Sequence, residues 1–105
     1  MINNLLPEEF QKYLDDNNVV LVDVREEHEV AICKIDGSIL IPMSAGPEKL
    51  DELNVSDNIA LYCHHGMRSM QVAEYLASKG YSLLNNLQGG IDAWSREIDS
   101  SIERY

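Results

Sequence analysis

Short apolar runs alternate with amphipathic stretches along the chain. The runs at residues 19–22 and 59–63 are apolar on both faces, which is typical of central parallel strands with helices above and below. A shorter run at residues 39–41 ends at Pro42, and residues 83–84 indicate one more strand. The hydrophobic pattern therefore predicts four strands.

Helical signals lie between these runs. Pro7 suits a first helical position, and the stripe that follows it ends at the turn formers of residues 15–18. A second stripe over residues 69–79 ends at Gly80, a common residue just beyond a helix. Shorter helices are predicted at residues 47–53 and 91–98.

Strands that alternate with helices in such short units favour an α/β fold, with a parallel sheet between two layers of helices. A chain of 105 residues can form one domain with its own core, so we predict a single domain over residues 1–105. Ligands of open α/β sheets bind beyond the carboxyl ends of the strands. Cys63 ends a predicted central strand, and we therefore expect it at the site.

The chain is strongly acidic. It contains 8 Lys and Arg against 18 Asp and Glu, which gives a net charge of −10. Such a surface repels phosphate backbones and anionic lipids, which argues against nucleic-acid and membrane roles. The same field opposes a small anionic substrate, so an anion site has to create its own positive potential.

The sequence shows neither a membrane-spanning run nor a leader pattern, and the cellular compartment is predicted from these two observations. No apolar run approaches the roughly 20 residues of a membrane helix, and residues 1–4 show no basic and apolar leader pattern. We therefore expect a cytoplasmic protein whose two cysteines, Cys33 and Cys63, are reduced thiols.

Residues 63–69 join a predicted buried strand to an amphipathic helix. A helix start leaves backbone N–H groups unpaired, so a loop that curls there offers several donors to an anion. Gly66 permits a tight turn, and Arg68 is expected to direct its guanidinium toward the loop and add a full positive charge. Cys63 at the centre is then favoured as a thiolate, which can attack a sulfane sulfur and keep it as a persulfide.

Three segments resemble the rhodanese family, in the right order. Residues 20–26 resemble its first core strand and turn, residues 62–69 its active-site loop, and residues 86–94 its C-terminal signature. The resemblance implies a three-layer α/β/α fold with a central, mostly parallel five-stranded sheet. It further implies a sulfurtransferase without a cofactor, which carries the persulfide on Cys63. The implied substrate cup consists of His64, His65, Gly66, Met67 and Arg68.

Two departures from the family pattern concern the sulfur donor. Residues 33–38 read Cys-Lys-Ile-Asp-Gly-Ser where members commonly have Gly-His-Ile-Pro-Gly-Ala, and His64 stands where thiosulfate-using members often have Arg. A small anionic donor such as thiosulfate and a persulfide donor both stay open, and a protein is a possible sulfur acceptor. A relay module that works only when docked to a partner is the alternative to an independent enzyme.

Loop length separates sulfur chemistry from phosphate chemistry. Related phosphatases and arsenate reductases place five residues between Cys and Arg, whereas Cys63 and Arg68 enclose four. The shorter loop favours a single sulfur atom over a tetrahedral oxyanion. A phosphatase-like or arsenate-reductase-like activity is therefore the disfavoured alternative.

Other conspicuous residues have structural interpretations. Asp23 and Arg25 follow a buried strand and are expected to form an ion pair that fixes the next turn. Cys33 is interpreted as a packed cysteine, with a resolving thiol that captures the persulfide as the alternative. His64 and His65 are not expected to bind a metal, because adjacent side chains seldom converge on one ion and no second ligand pair at zinc-like spacing is present.

Overall fold

One five-stranded sheet forms the centre of the molecule in a computed structural model that describes residues 1–105. The strands lie in the order β1-β5-β4-β2-β3, and every neighbouring pair is parallel. Their bounds are β1 (Ile2–Leu5), β2 (Val20–Asp23), β3 (Ile39–Leu40), β4 (Ile59–Tyr62) and β5 (Leu84–Leu87).

Five α-helices and one short 3₁₀ turn connect the strands. They are α1 (Pro7–Asp16), α2 (Glu27–Ile32), the 3₁₀ turn (Met43–Ala45), α3 (Pro47–Leu50), α4 (Met67–Ser78) and α5 (Gly90–Glu97). None of these helices is both long and apolar enough to cross a bilayer.

Helices cover both faces of the sheet. Residues of α3 and α4 pack in one apolar cluster, which takes Ile59 and Leu61 from β4. Residues of α1 and α5 pack in a second cluster, which takes Ala60 and Tyr62 from the same strand. Alternate residues of a strand point to opposite faces, so the two clusters lie on opposite sides of the sheet. The predicted three-layer α/β/α fold is confirmed.

Strand β1 is absent from the hydrophobic pattern, which predicts no strand before Pro7. The prediction is incomplete because the middle of β1 is polar. Asn3 donates from Nδ2 to Oδ1 of Asn85 at 3.0 Å, and Asn86 donates from Nδ2 to Oδ1 of Asn4 at 3.0 Å. These amide pairs accompany the parallel register of β1 with β5, and they form only when the sheet is assembled.

Helix α2 is also unpredicted, since Glu27–Ile32 carries only a short apolar face. Glu29 is its buried residue. The chain before the helix contains the expected ion pair, which is confirmed: Nη2 of Arg25 lies 2.8 Å from Oδ2 of Asp23, and both side chains are at most 2% exposed. The pair fixes the turn that leads from β2 into α2.

Candidate active site

Cys63 directly follows β4, which lies between β2 and β5. Its side chain is therefore at the carboxyl edge of the sheet, where the strand order predicts a ligand site. The residue is 1% exposed. A buried thiol can pack as a small apolar group, so polar partners of the sulfur are what distinguish a site from simple packing.

The loop after Cys63 supplies those partners. The sulfur accepts hydrogen bonds from the backbone N–H of Gly66 at 3.0 Å and the backbone N–H of Ser69 at 3.4 Å. These groups belong to the N-terminal end of α4, whose first N–H groups have no partner within the helix. Two backbone N–H groups at the start of α4 therefore point at the Cys63 sulfur.

Gly66 has a conformation that other residues rarely adopt. Its φ is +100°, and a Cβ at this position would lie 3.1 Å from the carbonyl oxygen of Leu87 and 3.2 Å from the backbone nitrogen of Gly89. The loop thus presses against the end of β5 while it turns back toward the sulfur. Glycine meets both requirements.

Ser69 adds a hydroxyl donor; the sequence analysis placed this residue in the active-site loop but did not assign it to the cup. Its hydroxyl lies 3.4 Å from the Cys63 sulfur and 3.3 Å from the carbonyl oxygen of Gly66. The helical stripe assigns Ser69 to the core-facing side of α4, and it is indeed fully buried. A signal for this role was present in the sequence, because Ser69 is a hydroxyl residue in the first helical turn after a cysteine that ends a strand.

Helix α5 holds the other side of the loop. The N–H of Ile91 donates to the carbonyl oxygen of Cys63 at 2.9 Å, and the N–H of Asp92 donates to the carbonyl oxygen of His64 at 3.1 Å. The first turn of α5 thereby ties down two loop carbonyls. These two contacts fix the backbone of the loop beside the Cys63 sulfur.

Arg68 differs from the sequence expectation. Its guanidinium makes a bidentate ion pair with Glu29, with Nη1 to Oε2 at 2.7 Å and Nη2 to Oε1 at 2.8 Å. The hydrogen bond to Glu29 raises the pKa of Arg68 above its usual range, and the negative charge of Glu29 contributes in the same direction. The sequence led us to expect that Arg68 adds a full positive charge to the loop, whereas in the structure a carboxylate from α2 pairs with that charge.

His64 and His65 lie side by side at the loop. The His64 ring stacks on the Tyr105 ring with centroids 3.9 Å apart and planes 8° apart, and it also lies 3.9 Å from the His65 ring. Burial lowers the pKa of His64, and the neighbouring His65 acts in the same direction. We therefore treat His64 as a neutral ring near pH 7.

The two histidines converge more than the sequence indicated. Ligand atoms of His64, His65 and Asp92 lie within 4.8 Å of one another. The same Asp92 carboxylate, however, lies 3.5 Å from Arg96 and 3.3 Å from Arg104. Two guanidinium groups on this carboxylate oppose a metal cation at the same place.

The remaining candidate residues have separate environments. Met67 is 75% exposed and borders an open cavity of about 400 Å³ together with His65 and Gly66. Cys33 is partly buried, and its sulfur lies 3.9 Å from Nη1 of Arg25. No hydrogen bond joins Cys33 to the loop sulfur, whose partners all come from Gly66 and Ser69.

Comparison with known proteins relates this chain to one family. The sequence model described as Rhodanese-like domain matches residues 6–97. A protein named Sulfurtransferase from Allochromatium vinosum is 36% identical, with 91% of each chain covered. The Putative sulfurtransferase YtwF from Bacillus subtilis is 38% identical over 83% of this chain and 84% of its own.

Solved structures agree with the sequence matches. The crystal structure of a Rhodanese-like Domain Protein from Staphylococcus aureus has a TM-score of 0.81 and 32% identity, and the match covers 98% of each chain. Some matched relatives are longer, and this chain spans 30% or less of their length. With a family match over most of its length and relatives named sulfurtransferases at more than 30% identity, the chain belongs to the rhodanese-like domain family of sulfurtransferases.

Proposed function

We propose that this sulfurtransferase carries sulfur as a persulfide on Cys63. The sulfur comes from a sulfane donor and passes to a thiophilic acceptor, either a small molecule or a thiol of another protein. His64, His65, Gly66, Met67 and Arg68 form the cup in which transfer takes place.

The proposed reaction consists of two displacements at sulfur. The Cys63 thiolate attacks the outer sulfur of the donor, a new S–S bond forms, and the S–S bond of the donor breaks. The electron pair leaves on sulfite when the donor is thiosulfate, or on a thiolate when the donor is a persulfide. The acceptor then attacks the outer sulfur, and Cys63 recovers its thiolate.

One observation carries this proposal: a buried cysteine sulfur that accepts three hydrogen bonds. The donors are the N–H of Gly66, the N–H of Ser69 and the hydroxyl of Ser69, at 3.0 to 3.4 Å. Donors that already point at the cradle centre stabilise a sulfur anion without rearrangement. The terminal sulfur of a persulfide carries the same charge as a thiolate, so the positive end of α4 favours it in the same way.

The experiment is intact-mass measurement after incubation with thiosulfate, and separately with an alkyl persulfide. Wild type is expected to gain the mass of one sulfur atom. Added cyanide is expected to remove this sulfur as thiocyanate and restore the original mass. Cys63→Ser is expected to stay unmodified while it keeps the wild-type circular dichroism spectrum.

Cys33→Ser is the matched control, because it removes the second thiol and leaves the loop intact. It is expected to gain and release sulfur like wild type. A folded wild-type protein that takes no sulfur on Cys63 from either donor would contradict the proposal. Loss of transfer in folded Cys33→Ser would assign a role to the second thiol.

A further inference from the structure

The carboxylate of Glu29 is held in one position by four donors. Oε1 accepts from Arg68 at 2.8 Å and from the Tyr105 hydroxyl at 2.8 Å. Oε2 accepts from Arg68 at 2.7 Å and from the backbone N–H of Glu26 at 3.0 Å. The Glu29 side chain is only 10% exposed. The pair with Arg68 is therefore a fixed, bidentate contact and not a mobile surface ion pair.

The position of this pair matters because Arg68 belongs to the loop of residues 63–69, which we call the sulfur-binding loop. A free guanidinium there would attract every anion that approaches Cys63. The Glu29 carboxylate, at 2.7 to 2.8 Å from both terminal nitrogens, cancels most of that attraction beyond the pair itself.

The other guanidinium groups near the loop also have carboxylate partners, and Arg96 and Arg104 lie 3.5 and 3.3 Å from Asp92. Arg25 is paired with Asp23 at 2.8 Å, and burial favours the neutral form of His64. The sulfur is held by backbone N–H groups and a hydroxyl, which are dipoles without net charge. Around them the chain as a whole carries a net charge of −10.

We propose, on the basis of the proposed function, that Glu29 determines donor specificity: its pairing with Arg68 makes the cup select sulfur donors of low charge, alkyl persulfides, over dianionic thiosulfate. Glu29 acts on the donor through Arg68 and the local field, without contact to the reacting sulfur.

The two donor classes differ in the charge they bring, while the bond changes are the same. Attack of the Cys63 thiolate on thiosulfate gathers three negative charges in one small cup. Attack on the persulfide of an uncharged alkyl thiol gathers at most two, and only one when that persulfide is protonated. In each case the donor S–S bond breaks and its electron pair leaves with sulfite or the alkyl thiolate. The ratio of the two rates therefore reports the local charge.

The test compares rates of Cys63 persulfidation by thiosulfate and by the persulfide of 2-mercaptoethanol. Glu29→Gln removes the charge but keeps an oxygen that accepts from Arg68 and Tyr105. It is expected to raise the thiosulfate-to-persulfide rate ratio about tenfold. Glu29→Asp keeps the charge and is expected to keep the wild-type ratio within about twofold.

Glu48→Gln is the matched control, because it removes one negative charge from an exposed position on α3. Its rate ratio is expected to equal that of wild type. An unchanged ratio in folded Glu29→Gln, or the same increase in Glu48→Gln, would overturn the inference.

Wild type provides a second measurement that does not depend on the folding of any variant. Potassium chloride screens the repulsion of a dianion, so added salt is expected to accelerate the thiosulfate reaction and leave the persulfide reaction nearly constant. Slowing of the thiosulfate reaction by salt would indicate a net attractive cup and overturn the inference. Absence of a Cys63 persulfide with both donors would instead contradict the proposed function.

Discussion

Gly90 packs directly against the backbone of His64. A Cβ at Gly90 would lie 2.3 Å from the His64 carbonyl oxygen, and the φ of Gly90 is +62°. The next two N–H groups, of Ile91 and Asp92, donate to the carbonyls of Cys63 and His64. The start of α5 therefore sets the position of the sulfur-binding loop, because no side chain separates the two backbones.

Replacement of Gly90 by alanine is expected to displace the loop. The added methyl group meets backbone atoms that have no room to move, so we expect a loss of about 2 to 4 kcal/mol in unfolding free energy and at least a tenfold slower persulfidation of Cys63. Gly37→Ala is the control, since Gly37 has a φ of +86° but no atom within 4 Å of the added Cβ. It should lose only about 1 kcal/mol and keep the wild-type rate. Equal losses of stability and rate in the two variants would show that the positive φ, and not the contact with His64, accounts for the effect.

Ser69→Ala tests the hydroxyl that sequence analysis missed. It removes the contact from Oγ to the Cys63 sulfur at 3.4 Å but keeps the backbone N–H donors. A hydrogen bond of this length is expected to contribute about 1 kcal/mol, so persulfidation should slow about fivefold. Ser95→Ala is the control, because Ser95 is also buried and donates to the carbonyl of Asp92 instead. A wild-type rate in Ser69→Ala would exclude the hydroxyl from the chemistry.

The buried pair of Asp23 and Arg25 is expected to be essential for stability. Asp23→Asn leaves the fully buried guanidinium without its counter-charge, which typically costs about 3 to 5 kcal/mol. The midpoint of urea unfolding should fall accordingly. Asp16→Asn removes an equal charge from the exposed pair with Lys12 and should leave the midpoint almost unchanged. Similar midpoints for both variants would contradict the importance of burial.

Alkaline pH is expected to destabilise the fold through Tyr62. Burial raises the pKa of Tyr62 from 10.0 to about 12. As the pH rises above 10, the unfolded chain loses this proton first, so unfolding becomes favoured and stability falls up to about pH 12. Tyr62→Phe should make the fall of the unfolding free energy between pH 10 and 12 less steep. It should also remove one late step from the absorbance titration of the tyrosines. An unchanged slope would show that Tyr62 does not ionise on unfolding in this range.

The cup is expected to reject tetrahedral oxyanions. Gly66 and Ser69 direct their N–H groups at one sulfur atom, at 3.0 and 3.4 Å. Hydrolysis of an aryl phosphate should be undetectable in a preparation that still forms the Cys63 persulfide. One Gly inserted after Gly66 should widen the loop, weaken persulfide formation and permit weak phosphate binding. Phosphate hydrolysis by wild type that disappears in Cys63→Ser would favour the phosphatase alternative.

Local signals in the sequence were sufficient for much of the fold and for the position of Cys63 at the carboxyl edge of the sheet. Strands β2 and β4 are continuous apolar runs, and α4 carries a clear apolar stripe that ends near Gly80. These features depend on neighbouring residues, as does the glycine that turns the loop after Cys63. Strand β1 lacks such a signal, because its Asn side chains are satisfied by residues of β5 more than 80 positions away.

The sequence by itself determined the alternation of strands and helices, the position of Cys63 at the end of β4 and the acidic balance of the chain, because each depends only on residue type and spacing. Only the tertiary structure decided which charged groups of the site are paired. Glu29 and Arg68 are 39 residues apart and lie on different helices, and nothing in their local sequence indicates that they meet. The sheet brings α2 and α4 to the same edge, and there the Glu29 carboxylate offsets the positive charge of Arg68.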